Sequence, residues 1–160
     1  MGVCDILSAK QVSVSNEMEG LARTKSEALH RLAELLARGT NKVQIEEVER
    51  VLSEREQLQS TGVGGNVAIP HGTIDRIEKM VGAVLLCRAG IDFDAIDSLP
   101  VKILFAVIGP KGATGEHLKT LARVSRLLRN EEFREKLLAA PDGETAFQLL
   151  VEEEGRGTIQ

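Results

Sequence analysis

Two almost unbroken apolar runs, Met80 to Cys87 and Val101 to Ile108, limit the fold of this chain more than anything else in it. Neither shows the polar alternation of a strand with one face in water. Runs of this length, rich in Val, Leu and Ile, suit strands buried on both faces, and such strands need helices on either side. The rest of the sequence supplies them. Thr24-Lys25-Ser26-Glu27 reads as a capping box, with Leu29, Leu32, Leu35 and Leu36 following at helical spacing and Gly39 as a C′ stop. A second helix is expected from about Gln44 to Leu58, its apolar side made by Ile45, Val48, Val51 and Leu52.

The segment Gly109 to Gly115 breaks the strand before it and leads into a helix from about Glu116 to Leu128. Leu118, Leu121, Ala122, Ser125 and Leu128 are the expected inner face of that helix. Asn130 should cap a short helix through Leu138, and Asp142 a last one through about Val151. Ile6-Leu7, Val12 to Val14 and Val67-Ala68-Ile69 read as short extended pieces. The expected fold is α/β, a single-domain sandwich whose central mixed, mostly parallel sheet is flanked by helices. Residues 1–155 would form the domain and residues 156–160 a flexible C-terminal tail.

Composition excludes several functions. The chain has four Phe, no Tyr and no Trp, and a formal net charge of −4, so it lacks both the stacking platform and the basic surface of a nucleic-acid binder. No apolar run reaches membrane-spanning length and no basic-then-apolar leader opens the chain, so membrane insertion is not expected. Cys4 and Cys87 fit free thiols in a reducing cytoplasm better than a disulfide framework.

The chemistry concentrates between Arg55 and Gly72. Gly62, Gly64 and Gly65 permit close backbone approach, so amide N–H groups there could converge on an anion. Pro70 ends the short strand and places His71 at its end, with the bulk-free Gly72 beyond. A lone histidine after a proline is most often a turn residue; a glycine loop before it favours a reactive imidazole. His117, read as the third residue of a helix capped by Thr114, would meet the helix dipole and tend to be a neutral donor to an oxyanion. Its bland alternative is an exposed first-turn histidine. Arg55 could clamp phosphoryl oxygens or simply pair with Glu54 or Glu56. Ser60 and Thr61 could donate hydroxyls to the same group or shape the turn.

Other motifs fail. Gly62-Val63-Gly64 lacks a third glycine and precedes a strand rather than following one, so it is no dinucleotide fingerprint, and neither glycine cluster ends as a P-loop does. His30, His71, His117 and Cys87 have no metal-ligand spacing. Asp92, Asp94 and Asp97 lack the glycine and closing Glu of a calcium loop. No metal or other cofactor is expected.

Taken jointly, the residues resemble enzyme IIA of the fructose/mannitol class of the bacterial phosphotransferase system, and its nitrogen-regulatory branch in particular. Arg55-Glu56, Ser60-Thr61-Gly62 and Ala68-Ile69-Pro70-His71 match the family signature at the same spacing. His117-Leu118-Lys119-Thr120-Leu121-Ala122 matches a second block, and Phe93-Asp94-Ala95-Ile96-Asp97 followed by Pro100-Val101 looks like the nitrogen branch. Gly65-Asn66 stands where the family usually has Asn-Gly, and Gln59 where it often has Gly. The resemblance implies a cytoplasmic phosphotransferase that uses a phosphohistidine intermediate. His71 would accept phosphate from a histidine-containing phosphocarrier protein, with His117 and Arg55 beside it. Regulatory target proteins would read the phosphorylation state, or, in the sugar branch, a IIB domain would take the phosphate.

Overall fold

The structure, a computed structural model, describes residues 2–159. Its strands are β1 (Val12–Val14), β2 (Gly62–Gly64), β3 (Val67–Ala68), β4 (His71–Thr73), β5 (Val81–Ile91) and β6 (Val101–Gly109). Its helices are α1 (Lys25–Ala37), α2 (Ile45–Leu58), α3 (Thr114–Leu127), α4 (Glu131–Leu138) and α5 (Gly143–Ile159). The strands form one sheet in the order β1-β5-β6-β3-β2, with β4 pairing to β6 beyond β3. β1, β3 and β4 pair in parallel, whereas β2–β3 and β5–β6 are antiparallel, so the sheet is mixed as expected.

The two apolar runs are the antiparallel centre of that sheet, with Val81 opposite Ile108 and Leu85 opposite Leu104. Their unbroken pattern comes from cover on both faces and says nothing of strand direction. On one face Ala83, Leu85, Cys87, Leu104, Ala106 and Ile108 pack under Leu29, Leu32 and Leu36 of α1 and Val48 and Leu52 of α2. On the other, Val84, Leu86, Ile103, Phe105 and Val107 pack under Val124 of α3, Phe133 of α4 and Ala146 and Leu150 of α5. Period-two alternation thus divides each strand between two cores.

The capping signals at Thr24, Asn130 and Asp142 hold. Thr24 accepts the Glu27 N–H while the Glu27 carboxylate returns to the Thr24 N–H, and Asn130 and Asp142 cap α4 and α5 through the N–H groups of Phe133 and Thr145. Gly39 is not a left-handed stop. A Cβ there would fall 2.5 Å from Gln11 Nε2 and 2.6 Å from Val81 Cγ1, so glycine is required by close packing. Leu128 and the partly buried Leu121 face the core as expected, but the rest of the inner face of α3 is His117, Thr120 and Val124, while Leu118 and Ala122 face solvent. The last helix does not stop at Val151. It runs through Ile159, across the segment expected to fray, and the Glu154 carboxylate on it accepts the N–H groups of Val3 and Cys4. Gln160 lies outside the described residues. Cys4 and Cys87 are free thiols, both pushed up to about 12 chiefly by burial. No helix among the described residues is long and apolar enough to cross a membrane.

Candidate functional site

A cleft of about 910 Å³ opens between α2, strand β4 and the start of α3. Val51, Arg55, Leu58, His71, Gly72, Thr114, His117 and Leu118 are among its lining residues. Three of the residues singled out in the sequence therefore meet in one place.

Pro70 puts His71 there. Strand β3 pairs with Ile103 and Leu104 of β6, the ladder lapses at Ile69 and Pro70, and β4 resumes it with His71 opposite Val107. The Pro70 carbonyl still accepts the Val107 N–H at 2.9 Å, so the interruption leaves the chain pinned to β6. His71 thus opens a second short strand rather than trailing the first. Gly72 is the condition for its approach to α2, since a Cβ there would come within 2.3 Å of Val51 Cγ1.

His71 Nδ1 lies 2.7 Å from the Ile69 carbonyl oxygen. A carbonyl only accepts, so Nδ1 carries the proton and Nε2 holds the free lone pair. The His117 ring centroid is 5.7 Å away, with the two rings tilted by 55°. His117 is buried, and its Nδ1 has no hydrogen-bond partner. A Cβ built on Gly109 would lie 3.0 Å from that nitrogen, which is closed off against the end of β6. A buried N–H without a partner costs more than a bare acceptor, so Nδ1 of His117 is unprotonated and its N–H is Nε2, the nitrogen left to the cleft. One imidazole offers a lone pair and its neighbour a proton.

Thr114 is not the cap of α3 but its first residue; the N-cap is Ala113, and the His117 N–H is already bonded to the Ala113 carbonyl at 2.9 Å. His117 therefore stands one place further into the helix than its spacing suggested. The helix N–H groups open to an anion are those before it.

Arg55, partly buried, donates Nη1 to the Gln59 carbonyl at 2.8 Å and so closes its own helix end. It pairs with neither carboxylate beside it in sequence. Glu54 sits 3.8 Å from Arg50, and Glu56 is buried against Lys25 at 2.8 Å. Other cations of the cleft, Lys111 and Arg76, are paired with Asp75 and Glu47. Among the described residues Arg55 forms no ion pair, so its charge is available to a ligand.

Ser60 and Thr61 do not line the cleft. Ser60 donates to the Phe93 carbonyl at 2.7 Å and Thr61 donates its hydroxyl to Glu56. The glycine segment is likewise turned elsewhere. Gly64, Gly65 and Asn66 take left-handed φ of 94°, 64° and 69° in the β2–β3 hairpin, and the Gly65 N–H donates to the Asp97 carboxylate at 3.0 Å. One amide of the segment does reach an anion, but that anion belongs to the protein, and the Gly62 N–H goes to the Ser60 hydroxyl instead. Asn66 tolerates the left-handed backbone that its exchange with glycine demands. The cleft carries an apolar rim of Leu58 and Leu118, 83% and 62% exposed, while Ile69 is buried and Val63 lies outside the cleft. Neither leucine was legible as a rim residue from helical spacing. Treating His117 as buried would have rotated the wheel and shown Leu118.

Burial pushes His71 and His117 below the ordinary histidine value of 6.5; the Arg55 charge adds to the effect on His71, and His71 to that on His117. His30, hydrogen-bonded to Glu49 between α1 and α2, is pushed above it. A lowered folded value means that the two cleft histidines contribute stability above about pH 6.5, lost as pH falls through their folded values. His30 contributes below pH 6.5, and that part fades as pH rises through its raised value. A ¹H–¹⁵N NMR titration should show two midpoints below 6.5 and one above. A cleft histidine titrating above 6.5 would contradict the desolvated site.

Comparison with known proteins defines the class. The sequence model of the family described as "Phosphoenolpyruvate-dependent sugar phosphotransferase system, EIIA 2" matches residues 6–153. The chain belongs to this family, as a phosphoryl carrier of the phosphotransferase system. It is 39% identical over 127 residues to a nitrogen regulatory protein of Bradyrhizobium diazoefficiens, covering 79% of this chain and 82% of that one. To the fructose-specific EIIA component of Haloferax volcanii it is 42% identical over 101 residues, 63% of this chain and 66% of that one. The crystal structure of the nitrogen regulatory protein IIA-Ntr from Neisseria meningitidis superposes with a TM-score of 0.82 at 30% identity, covering 92% of this chain and 98% of that one.

Proposed function

We propose that His71 Nε2 accepts a phosphoryl group from the phosphohistidine of a histidine-containing phosphocarrier protein, and that the phosphorylated state is read by regulatory partners in the cytoplasm. The observation that carries this reading is the hydrogen bond from His71 Nδ1 to the Ile69 carbonyl, which leaves Nε2 bare. In the step, the Nε2 lone pair forms the new N–P bond as the donor's N–P bond breaks. The donor imidazole leaves, and the resulting His71 imidazolium keeps its Nδ1 proton on the Ile69 carbonyl. Transfer between two imidazoles needs no metal or nucleotide activation, because the donor N–P bond is already reactive. Arg55 and the Nε2–H of His117 supply positive charge and a donor to the oxygens, where charge builds during transfer.

Phosphorylation brings about −1.5 to −2 charges into a cleft rimmed by two exposed leucines, enough to break an apolar docking contact or create a charged one. The likeness to nitrogen regulatory proteins along most of the chain supports the regulatory reading. The likeness to a fructose-specific EIIA component supports a second one, delivery of the phosphate to a IIB domain.

Incubation with phosphorylated phosphocarrier, read by intact mass, tests the proposal. Wild type should gain one acid-labile phosphoryl group and His71→Ala none. An adduct surviving in His71→Ala, or none on wild type with a donor active on another acceptor, would overturn it. Rapid discharge to a fructose- or mannitol-type IIB domain would favour the sugar-delivery reading.

A further inference from the structure

The cleft does not account for the best-satisfied ionised group beside it. Glu56 follows Arg55 on α2, yet its side chain turns inward and is only 6% exposed. Both of its oxygens accept the Thr61 N–H, each at 3.1 Å, and Oε1 also accepts the Thr61 hydroxyl. Oε2 faces Lys25 Nζ at 2.8 Å. Lys25 in turn donates to the Phe93 carbonyl at 3.3 Å and lies 4.8 Å over the Phe93 ring.

The hydrogen bonds do not stop at Thr61. Its carbonyl accepts the Ile69 N–H at 3.0 Å, and the Ile69 carbonyl accepts His71 Nδ1 at 2.7 Å. We propose that Glu56 is a positioning residue, which fixes the His71 imidazole through Thr61 and Ile69 while holding the end of α2 that carries Arg55. One buried carboxylate thereby sets the spacing between the nucleophilic ring and the cation opposite it. The proposal rests on the reading of His71 as the phosphoryl acceptor.

Stability alone gives this ion pair little reason to exist. Taking two charges out of water is costly, and well-packed apolar side chains of similar volume often do as well. What the carboxylate adds is direction. It takes two donors from one residue, and a register error at Thr61 would carry through Ile69 to the ring. Misplacing a reacting group by about 1 Å can cost on the order of 100-fold in rate.

The test compares wild type, Glu56→Ala and the double variant Lys25→Met/Glu56→Gln. The glutamine keeps an acceptor oxygen for Thr61, and removing Lys25 spares its amide a donor-to-donor clash. Two quantities are read: the His71 ring tautomer by ¹⁵N NMR, which needs no phosphate, and the single-turnover rate of phosphoryl acceptance. Wild type should show the Nδ1–H tautomer. Glu56→Ala should show a mixture of tautomers and a rate lower by on the order of 100-fold, and the double variant should recover both. A Glu56→Ala protein that melts cooperatively and keeps the wild-type tautomer and rate would overturn the proposal. So would a folded double variant no better than Glu56→Ala. Lys25→Met/Glu56→Met, which removes both charges and the acceptor while keeping the bulk, carries the same comparison if the alanine variant does not fold. Absence of phosphoryl acceptance by wild type would instead strike at the acceptor reading, leaving the tautomer measurement to decide the role of Glu56.

Discussion

Replacing His117 by alanine is expected to slow phosphoryl acceptance by His71 between about 10²- and 10³-fold without abolishing it, the range seen when one preorganised donor is removed from a transition state. The expectation follows from the division of labour between the rings. His71 Nδ1 is committed to the Ile69 carbonyl, so the attacking nitrogen needs no base to free it. His117 is therefore not required to move a proton before attack. Its Nδ1 is buried without a partner, which leaves Nε2 to carry the proton, and its ring centroid stands 5.7 Å from that of His71. A donor fixed before reaction costs no reorganisation when charge spreads over the transferring oxygens. His117→Gln, which can place an amide N–H near the same point, should recover part of the rate, whereas alanine cannot. Rapid-quench measurement of the single-turnover rate, with thermal melts to confirm folding, reads the difference. A rate unchanged in a folded His117→Ala protein would reduce His117 to packing.

This division also shows which parts of the site the sequence could reveal. His71, His117 and Arg55 were legible because each is fixed by a local signal: a proline before a glycine, a strand-to-helix junction and a helix end. The three caps Thr24, Asn130 and Asp142 were legible for the same reason, and so were the apolar runs that became β5 and β6. What escaped depends on which partner a side chain turns to in the folded chain. Whether the Ser60 and Thr61 hydroxyls face the cleft is decided by the Phe93 carbonyl and by Glu56, and no short-range pattern announces either. The direction of the central ladder was equally hidden, since a strand buried on both faces looks alike in either sense. Leu118 and His117 exchanged places because polarity is a poor guide at a reactive site. There the structure buries an imidazole and leaves a leucine 62% exposed at the cleft. Gly39 was read as a terminator but is present for want of space.

Space of that kind sets the largest stability effect expected in this protein. Gly143 opens α5 against β1, and its φ lies outside the left-handed region, so an L residue meets no backbone strain there. Yet a Cβ would stand 1.9 Å from the Val12 carbonyl oxygen, 2.8 Å from the Val12 carbonyl carbon and 3.3 Å from Ser13 Cα. All three are backbone atoms of a strand whose Val12 and Val14 are registered against Val84 and Leu86 of β5, so no rotamer change relieves the clash. The helix must back away. In doing so it loosens the bond from the Gly143 N–H to Glu19 at 3.1 Å and lifts the buried Ala146 and Leu150 from the second core. Gly143→Ala should therefore destabilise by about 3 kcal/mol or more, the upper end of what overpacking costs. Gly155, further along α5, has nothing within 4 Å of its would-be Cβ. Gly155→Ala should stabilise by roughly 0.4–1 kcal/mol, because alanine is the better helix former and has less unfolded-state freedom to lose. Urea denaturation of the two variants beside wild type separates these signs within one helix. Equal midpoints for Gly143→Ala and wild type would mean that α5 and β1 are not in the close contact on which the second core, and with it the face of the sheet that carries α3 and His117, is built.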